Sequence, residues 1–511
     1  MSKKWVRVIF RRRVFVIAIL LVQLGFILSF IAGSSMAFRN VSLALNTLSI
    51  VVCLYIYNKK EKSAYKLTWI FLILMFPIFG GFVYIVFHSQ FNSRKMRRLI
   101  DISNRQCRPF YVLPGDTLPA LAADHEDCLP QVRYLQEYAG FPVYAHTQTE
   151  YFSSGEAFFT RVLEKLEKAE RYIFLEFFIL RQGVMLNPII ALLKKKAKQG
   201  LDVRIMYDDL GCFMSLSPNY QKHLERNGIQ CIVFNPFKPI LSSLQNNRDH
   251  RKIIAIDGKV AFTGGINLAD EYINEYERFG HWKDAAIMLE GEAAWSLTLI
   301  FLNMWSFERK QPEDYGVFYP WKAEPCPIAS DGYVQPYADS PIDDENVGEH
   351  VYIQIINNAK QYVYINTPYL VVDDNLLSAL TLAAKSGVDV RIITPHRWDK
   401  KIVEITSRSY YRQLVSAGVK VYEYSSGFNH SKTFVSDDKV ATVGTTNLDF
   451  RSLYLHFECG VCIYKNQGVA KIKEDFLNTI PISHRITAED FAWNAFQRIV
   501  QDVLRLFAPL M

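Results

Sequence analysis

The residues best suited to do chemistry in this chain come as two matched sets. His250-x-Lys252-x4-Asp257-x6-Gly264-Gly265-x-Asn267 returns as His430-x-Lys432-x4-Asp437-x6-Gly444-Thr445-x-Asn447, each member at the same offset from its histidine. Imidazole is both a nucleophile and a proton carrier near neutral pH. Two apart in an extended segment, His and Lys project to one side, so a nucleophile and a cation can address one small anion. Gly264-Gly265, and Gly444 before Thr445, permit a tight turn where the backbone comes close to that anion, and Asn267 and Asn447 add neutral donors. Two lysines and two asparagines around a phosphodiester offset its charge and stabilise the equatorial oxygens of a five-coordinate transition state. Such a site needs no metal and no other cofactor.

Asp257 and Asp437 belong to the same catalytic motif, yet each precedes a turn (Asp257-Gly258-Lys259, Asp437-Asp438-Lys439), and turn formation is their favoured role. Asp284 and Glu458 are better placed to orient the histidines. Each stands immediately before an apolar strand, AAIML or CGVCI. A carboxylate on one imidazole nitrogen fixes the tautomer and makes the other nitrogen more nucleophilic.

The elements that must position these groups are also written twice. From about Tyr151, LEKLEKAE leads to the strand YIFLEFFIL, the helix IIALLKKKAKQG and the strand DVRIMYD; later QIINNAK leads to YVYINTPYL, LLSALTLAAKSG and DVRIITP. Each copy continues through a turn at Gly228 or Gly418 into IQCIVF or VKVYEY. The alternation predicts α/β architecture, two packed pseudo-repeated lobes over 111–325 and 326–511, each with a largely parallel sheet. The first copy is longer between its glycine and its histidine, and the extra residues include Phe234, Phe237, Ile240 and Leu241. They suit either an interfacial loop or a cap on the core. The C-terminal stretch has helical spacing of Phe496, Ile499, Val500, Val503, Leu504 and Phe507 and reads as an amphipathic helix, with docking on the body favoured over membrane contact.

Residues 1–110 differ in composition. They hold 17 Lys/Arg against only Glu61 and Asp101, which leaves 41 basic and 49 acidic residues of the chain's 58 and 51 for the remainder. An acidic body is a poor nucleic-acid binder, because that affinity comes mainly from phosphate neutralisation by Lys and Arg. Three apolar stretches, 14–33, 41–57 and 67–87, predict an anchor of two to three transmembrane or re-entrant segments. Arg11-Arg12-Arg13 ahead of the first stretch also fits a signal peptide, but two further stretches downstream favour an uncleaved anchor. Pro77 and Gly80-Gly81 in the third suit a kinked or re-entrant hairpin, which keeps the body on the basic, cytoplasmic side. The eight scattered cysteines argue against a disulfide framework, and Cys459-x-x-Cys462 reads as part of a buried strand rather than a metal or redox site.

At its doubled H-x-K-x4-D motif the chain resembles the phospholipase D superfamily, over about Tyr151 to the C-terminus. TWIFLILMFPIFGGFVYIVF, HWKDAAIMLEG and NLDFRSLYLHFE look like segments of bacterial cardiolipin synthases, although the stretch at 14–33 makes a longer leader than the simplest members have, and His456 stands where Asn is expected. The resemblance implies two phospholipase-D-type α/β lobes behind transmembrane helices in a bacterial cell membrane. It implies phosphatidyl transfer between two phosphatidylglycerol molecules through a phosphatidyl-histidine, with His250 and His430 as nucleophile and acid, in roles that could be exchanged. The competing readings are a membrane-bound phospholipase D or another phosphatidyltransferase, a phosphodiester nuclease, and a scaffold that merely keeps the fold.

Overall fold

The computed structural model describes residues 36–87, 91–111, 115–236, 245–491 and 495–510, with 21, 23–25 and 28. Most of the 14–33 stretch, and Phe237, Ile240 and Leu241, lie outside the described residues. The chain forms two compact units. One takes the described residues up to Arg94 with 245–246 and 502–510; the other takes Lys95–Pro236 and Asn247–Gln501.

In the first unit the uncharged run after Arg39 forms the helix Met36–Tyr57. It contains the one stretch among the described residues long and apolar enough to cross a bilayer, Arg39–Tyr57. Leu43, Leu48 and Leu54 are exposed along it, as a lipid-facing surface requires. The 67–87 stretch is not one continuous helix. Phe76 leaves helical geometry ahead of Pro77, whose ring crowds the preceding residue out of the α region, so two helices form, Ser63–Met75 and Pro77–Phe87. Trp69 meets Tyr84 edge-on at 5.4 Å, and a Cβ on Gly80 would stand 2.4 Å from the Leu72 carbonyl oxygen. These pairings make an antiparallel hairpin that closes at Pro77. Its 13-residue arm spans about 20 Å, too short for a hydrocarbon core of about 30 Å.

The C-terminal stretch forms the helix Ala495–Leu506. At its end the Thr68 hydroxyl donates to the Leu506 carbonyl at 2.7 Å and Phe71 meets Phe507 at 5.9 Å. The first unit's N-terminal part ends at Arg94. Beyond it, the Ser103 hydroxyl donates to the Asn303 carbonyl at 3.1 Å, and Cys107 is buried in the core of the second unit.

Within the second unit the first lobe contains β1 (Thr147–Phe152), β2 (Tyr172–Phe177), β3 (Asp202–Asp208), β4 (Gln230–Phe234), β5 (Arg248–Asp249), β6 (Ile253–Ile256), β7 (Val260–Gly264), β8 (His281–Lys283) and β9 (Ala286–Gly291). The second contains β10 (Tyr333–Asp339), β11 (Tyr362–Asn366), β12 (Leu370–Val371), β13 (Asp389–Pro395), β14 (Lys420–Tyr424), β15 (Gly427–Asn429), β16 (Thr433–Ser436), β17 (Val440–Gly444), β18 (Leu448–Asp449), β19 (His456–Tyr464) and β20 (Ser483–Arg485). The sheet orders are β1-β9-β7-β6-β2-β3-β4 and β10-β19-β17-β16-β11-β13-β14-β20.

The expected largely parallel sheet is corrected to a mixed one. Only β2-β3-β4 and β11-β13-β14 run parallel; the other neighbours along both paths are antiparallel. Helices that cross over give the parallel half: Leu186–Lys198 buries Leu186, Ile189, Ile190 and Leu193, and Asp374–Lys385 buries Leu376, Leu377, Leu380 and Ala383, each a stripe at helical spacing. The motif segments instead return at once as the hairpins β6-β7 and β16-β17, which can only pair antiparallel. Between the two sheets runs one apolar core that includes Ala261, Ile287, Ala441 and Val461. Phe234 is part of it, so this residue of the expected loop caps the core.

Candidate active site

Each histidine follows a short strand that crosses to the other lobe. Beta5 pairs in parallel with the start of β19, and the His250 N–H donates to the Phe457 carbonyl at 2.9 Å. In the mirror position β15 pairs in parallel with β8, and the His430 N–H donates to the Lys283 carbonyl at 2.7 Å. Buried Asp208 and Arg248, 2.8 Å apart, hold β5 in place. Each crossing pair sets a histidine beside the residue that begins the partner lobe's next apolar run, and that residue is a carboxylate.

The orienting carboxylates are therefore exchanged between lobes. His250 Nδ1 lies 2.9 and 3.0 Å from the two oxygens of Glu458, and His430 Nδ1 lies 2.6 Å from Asp284 Oδ2. Both carboxylates are fully buried. With Nδ1 engaged, each imidazole has Nε2 left for chemistry. Lys252 and Lys432 each turn their ammonium onto the carbonyl of the histidine two residues before. They do so from extended links outside the strands rather than from within one.

The two half-sites converge electrostatically. Burial pushes His250 down to about 3 against the pull of Glu458, and burial, then Lys432, push His430 down to about 4 against Asp284. Both are thus neutral bases at pH 7. Burial lowers Lys252 to about 8 and Lys432 to about 7, while Glu458 and Asp284 support each of them. The Lys252 charge also depresses His430 and Lys432, so charges from both lobes act on one small volume. Glu458 is held well below the carboxylate range by His250 despite its burial.

The remaining motif residues divide. Asp257 and Asp437 stand at the turns that sequence favoured for them. The Asp257 carboxylate accepts the N–H groups of Glu170, Arg171 and Tyr172, each at 2.8 Å, and Asp437 accepts those of Lys360, Gln361 and Tyr362. Both have left-handed φ values, 55° and 53°, at the hairpin ends, which Asp tolerates better than most side chains. Strand β6 separates Asp257 from Lys252 by about 16 Å at the usual rise. Asn267 donates to the Tyr272 hydroxyl at 2.7 Å and accepts the Ile179 N–H, whereas Asn447 Oδ1 is buried without a hydrogen-bond partner among the described residues. Gly265 makes room for a carboxylate: a Cβ there would stand 2.0 Å from Asp284 Oδ1. In the other lobe Thr445 occupies that position, and its hydroxyl donates to Glu458. Cys459 and Cys462 are buried in β19, and burial pushes both thiols up to about 12.

Sequence reasoning missed the aromatic walls. Phe178 meets the His250 ring at 5.1 Å, and Trp282, Tyr272 and Phe428 surround His430 at 5.2, 5.6 and 5.7 Å. Their only signal was proximity in sequence to a motif residue. It also missed that the supports differ between lobes. Arg251, between His250 and Lys252, ion-pairs with Glu176 at 2.9 Å and Asp249 at 3.0 Å; the matched positions are Asn366, Asn429 and Ser431, where the Asn429 amide Nδ2 donates a hydrogen bond to Asn366 Oδ1 at 3.0 Å.

A doubled α/β fold whose lobes exchange carboxylates onto paired His-Lys sites defines an enzyme of the phospholipase D superfamily. A family model described as cardiolipin synthase, PLD-like domain, matches residues 162–296 and 352–480, one match in each lobe. A model described as phospholipase D-nuclease N-terminal matches 44–87. The chain is 35% identical over 510 residues to a cardiolipin synthase of Geobacillus kaustophilus, covering 97% of this chain and 99% of that one. It is 34% identical to a cardiolipin synthase of Alkalihalophilus pseudofirmus over 97% of both chains, and 44% identical to an uncharacterized protein of Streptococcus mutans over 90% of this chain and 99% of that one. The crystal structure of phosphatidylserine synthase from Haemophilus influenzae shares the fold, with a TM-score of 0.54 at 15% identity over 75% of this chain and 98% of that one. The chain belongs to the cardiolipin synthase family.

Proposed function

We propose that the protein is a membrane enzyme that joins two phosphatidylglycerol molecules into cardiolipin and releases glycerol. The observation that carries this reading is the exchange of Glu458 and Asp284 between lobes, which gives one phosphate two oriented imidazoles and two ammonium groups. His250 Nε2 attacks the phosphorus of the first lipid, and His430 protonates the departing glycerol oxygen. An empty-site value near 4 leaves His430 unprotonated at pH 7, but an anionic phosphodiester alongside raises it and prepares the acid. Deprotonated again, His430 takes the proton of a hydroxyl on the second lipid, whose oxygen displaces His250 and completes the second ester. Lys252, Lys432 and the Asn447 amide hold the phosphate oxygens, and no cofactor enters the sequence of steps.

Supporting a lipid rather than water as acceptor, both histidines are only 7% exposed and lie among aromatic side chains. The apolar helix Arg39–Tyr57 supports a membrane location; a multi-pass anchor with the catalytic body on the cytoplasmic side fits the basic residues flanking the apolar stretches. Thin-layer and mass analysis of products from the purified protein and phosphatidylglycerol tests the reading. Cardiolipin and glycerol are expected; phosphatidic acid alone would make the enzyme a hydrolase. A His430→Ala trap should accumulate phosphatidyl mass on the peptide containing His250.

A further inference from the structure

His456 has no part in that chemistry, and its position is costly. Its side chain is only 10% exposed and, among the described residues, neither ring nitrogen has a hydrogen-bond partner. Burying an imidazole without partners is unfavourable unless something else takes its lone pair. The ring faces His250 with centroids 5.5 Å apart, and its Nδ1 stands 3.8 Å from Glu458 Oε1, too far for a hydrogen bond. Glu458 Oε2 accepts from the Thr445 hydroxyl, and Oε1, 2.9 Å from His250 Nδ1, is the oxygen turned toward His456.

We propose that His250, His456 and Glu458 capture a Zn2+ ion, and that its binding switches the enzyme off. One ligand atom from each of the three residues lies within 4.8 Å of the others. Around tetrahedral zinc, with bonds of about 2.0–2.2 Å, neighbouring ligand atoms sit about 3.4 Å apart, so side-chain rotations of about an ångström close the set. Two neutral imidazoles and one carboxylate suit zinc and its neighbours in the transition series rather than Mg2+ or Ca2+. A fourth position remains for water. The metal takes a lone pair from each imidazole, and whichever His250 nitrogen it uses, the site loses either its nucleophile or the hydrogen bond that orients it. The nearby Lys252 ammonium opposes a second cation and keeps the affinity moderate, as a reversible switch requires. The inhibitory half of the inference rests on the proposed function; the binding half does not.

The test uses the full chain in detergent micelles with Co2+ as the optical probe. One Co2+ per chain is expected, with the visible absorption of a tetrahedral centre, displaced by Zn2+. His456→Ala should weaken binding about tenfold or more. His430→Ala should keep the band, because His430 pairs with Asp284 and lies outside the set. If His456→Ala does not fold, judged by thermal melting, His456→Asn serves instead. Octahedral Co2+ spectra, or equal affinity in wild type and the His456 variants, would overturn the site. In parallel, Zn2+ should abolish turnover of phosphatidylglycerol and EDTA should restore it. Binding with undiminished turnover would overturn the switch and leave the site standing, and binding with no turnover in metal-free protein would count against the proposed function alone.

Discussion

Replacing Glu458 by Gln probes the cross-lobe exchange with the least change of shape. Both Glu458 oxygens accept from His250 Nδ1, at 2.9 and 3.0 Å, inside a fully buried site. The amide keeps the volume but removes the charge that stabilises imidazolium character as the P–N bond forms. A charge-assisted hydrogen bond contributes about 1.5–3 kcal/mol, so a loss of about 3 kcal/mol corresponds to roughly a hundredfold in kcat/KM. The variant also carries a second signature. Glu458 is the first-named support of the Lys252 charge, so its loss should lower the Lys252 pKa from about 8 and move the alkaline limb of kcat/KM to lower pH. A merely structural role moves no such limb. The assay is the pH profile of kcat/KM for cardiolipin formation in mixed micelles, with Thr445→Val as a variant that leaves the carboxylate charged. Activity within about threefold of wild type at every pH would refute the argument that the exchanged carboxylate orients the nucleophile.

Four further outcomes follow from the same geometry. For the wild type, kcat/KM should fall as pH rises through about 7 to 8, because the buried Lys432 and Lys252 lose the charges that neutralise the phosphate; a plateau up to pH 10 would contradict this. In chemical denaturation followed by fluorescence, both histidines have folded values of about 3 and 4, below the ordinary 6.5, so the unfolded chain takes up protons first and their contribution to stability is lost as pH falls from 6.5 toward 4. Gly265→Ala should displace Asp284 from His430, since the new Cβ would stand 2.0 Å from Asp284 Oδ1, and lower turnover without unfolding the protein; wild-type rates would show that the carboxylate can yield. Asp257→Ala strips three backbone N–H groups of their acceptor, at about 1 kcal/mol each, and should lower the melting temperature while the folded fraction still turns over. Loss of turnover well below melting would return Asp257 to the catalytic set.

The doubled motif was legible in sequence because chemistry and local geometry coincide there: His-x-Lys is a period-two pattern, and Asp-Gly-Lys or Asp-Asp-Lys is a turn. The repeat of strand, helix and strand told of two lobes for the same reason, as each crossover helix carries its own apolar stripe. Asp284 and Glu458 could be named as carboxylates ahead of apolar runs. Which histidine each serves depends on contacts between residues 208 positions apart in one case and 146 in the other, and no local pattern encodes that. The mixed sheet escaped because a hairpin and a crossover begin with the same apolar alternation; only the pairing partner distinguishes them. The break in the 67–87 stretch was legible in Pro77 and Gly80-Gly81, whereas the extent of the reversal depends on how closely Gly80 lies against Leu72. Sequence by itself thus determined the reacting groups and the elements that carry them. Tertiary structure decided their partners, because burial sets the protonation of the imidazoles and ammoniums, and burial is shared between segments far apart in the chain.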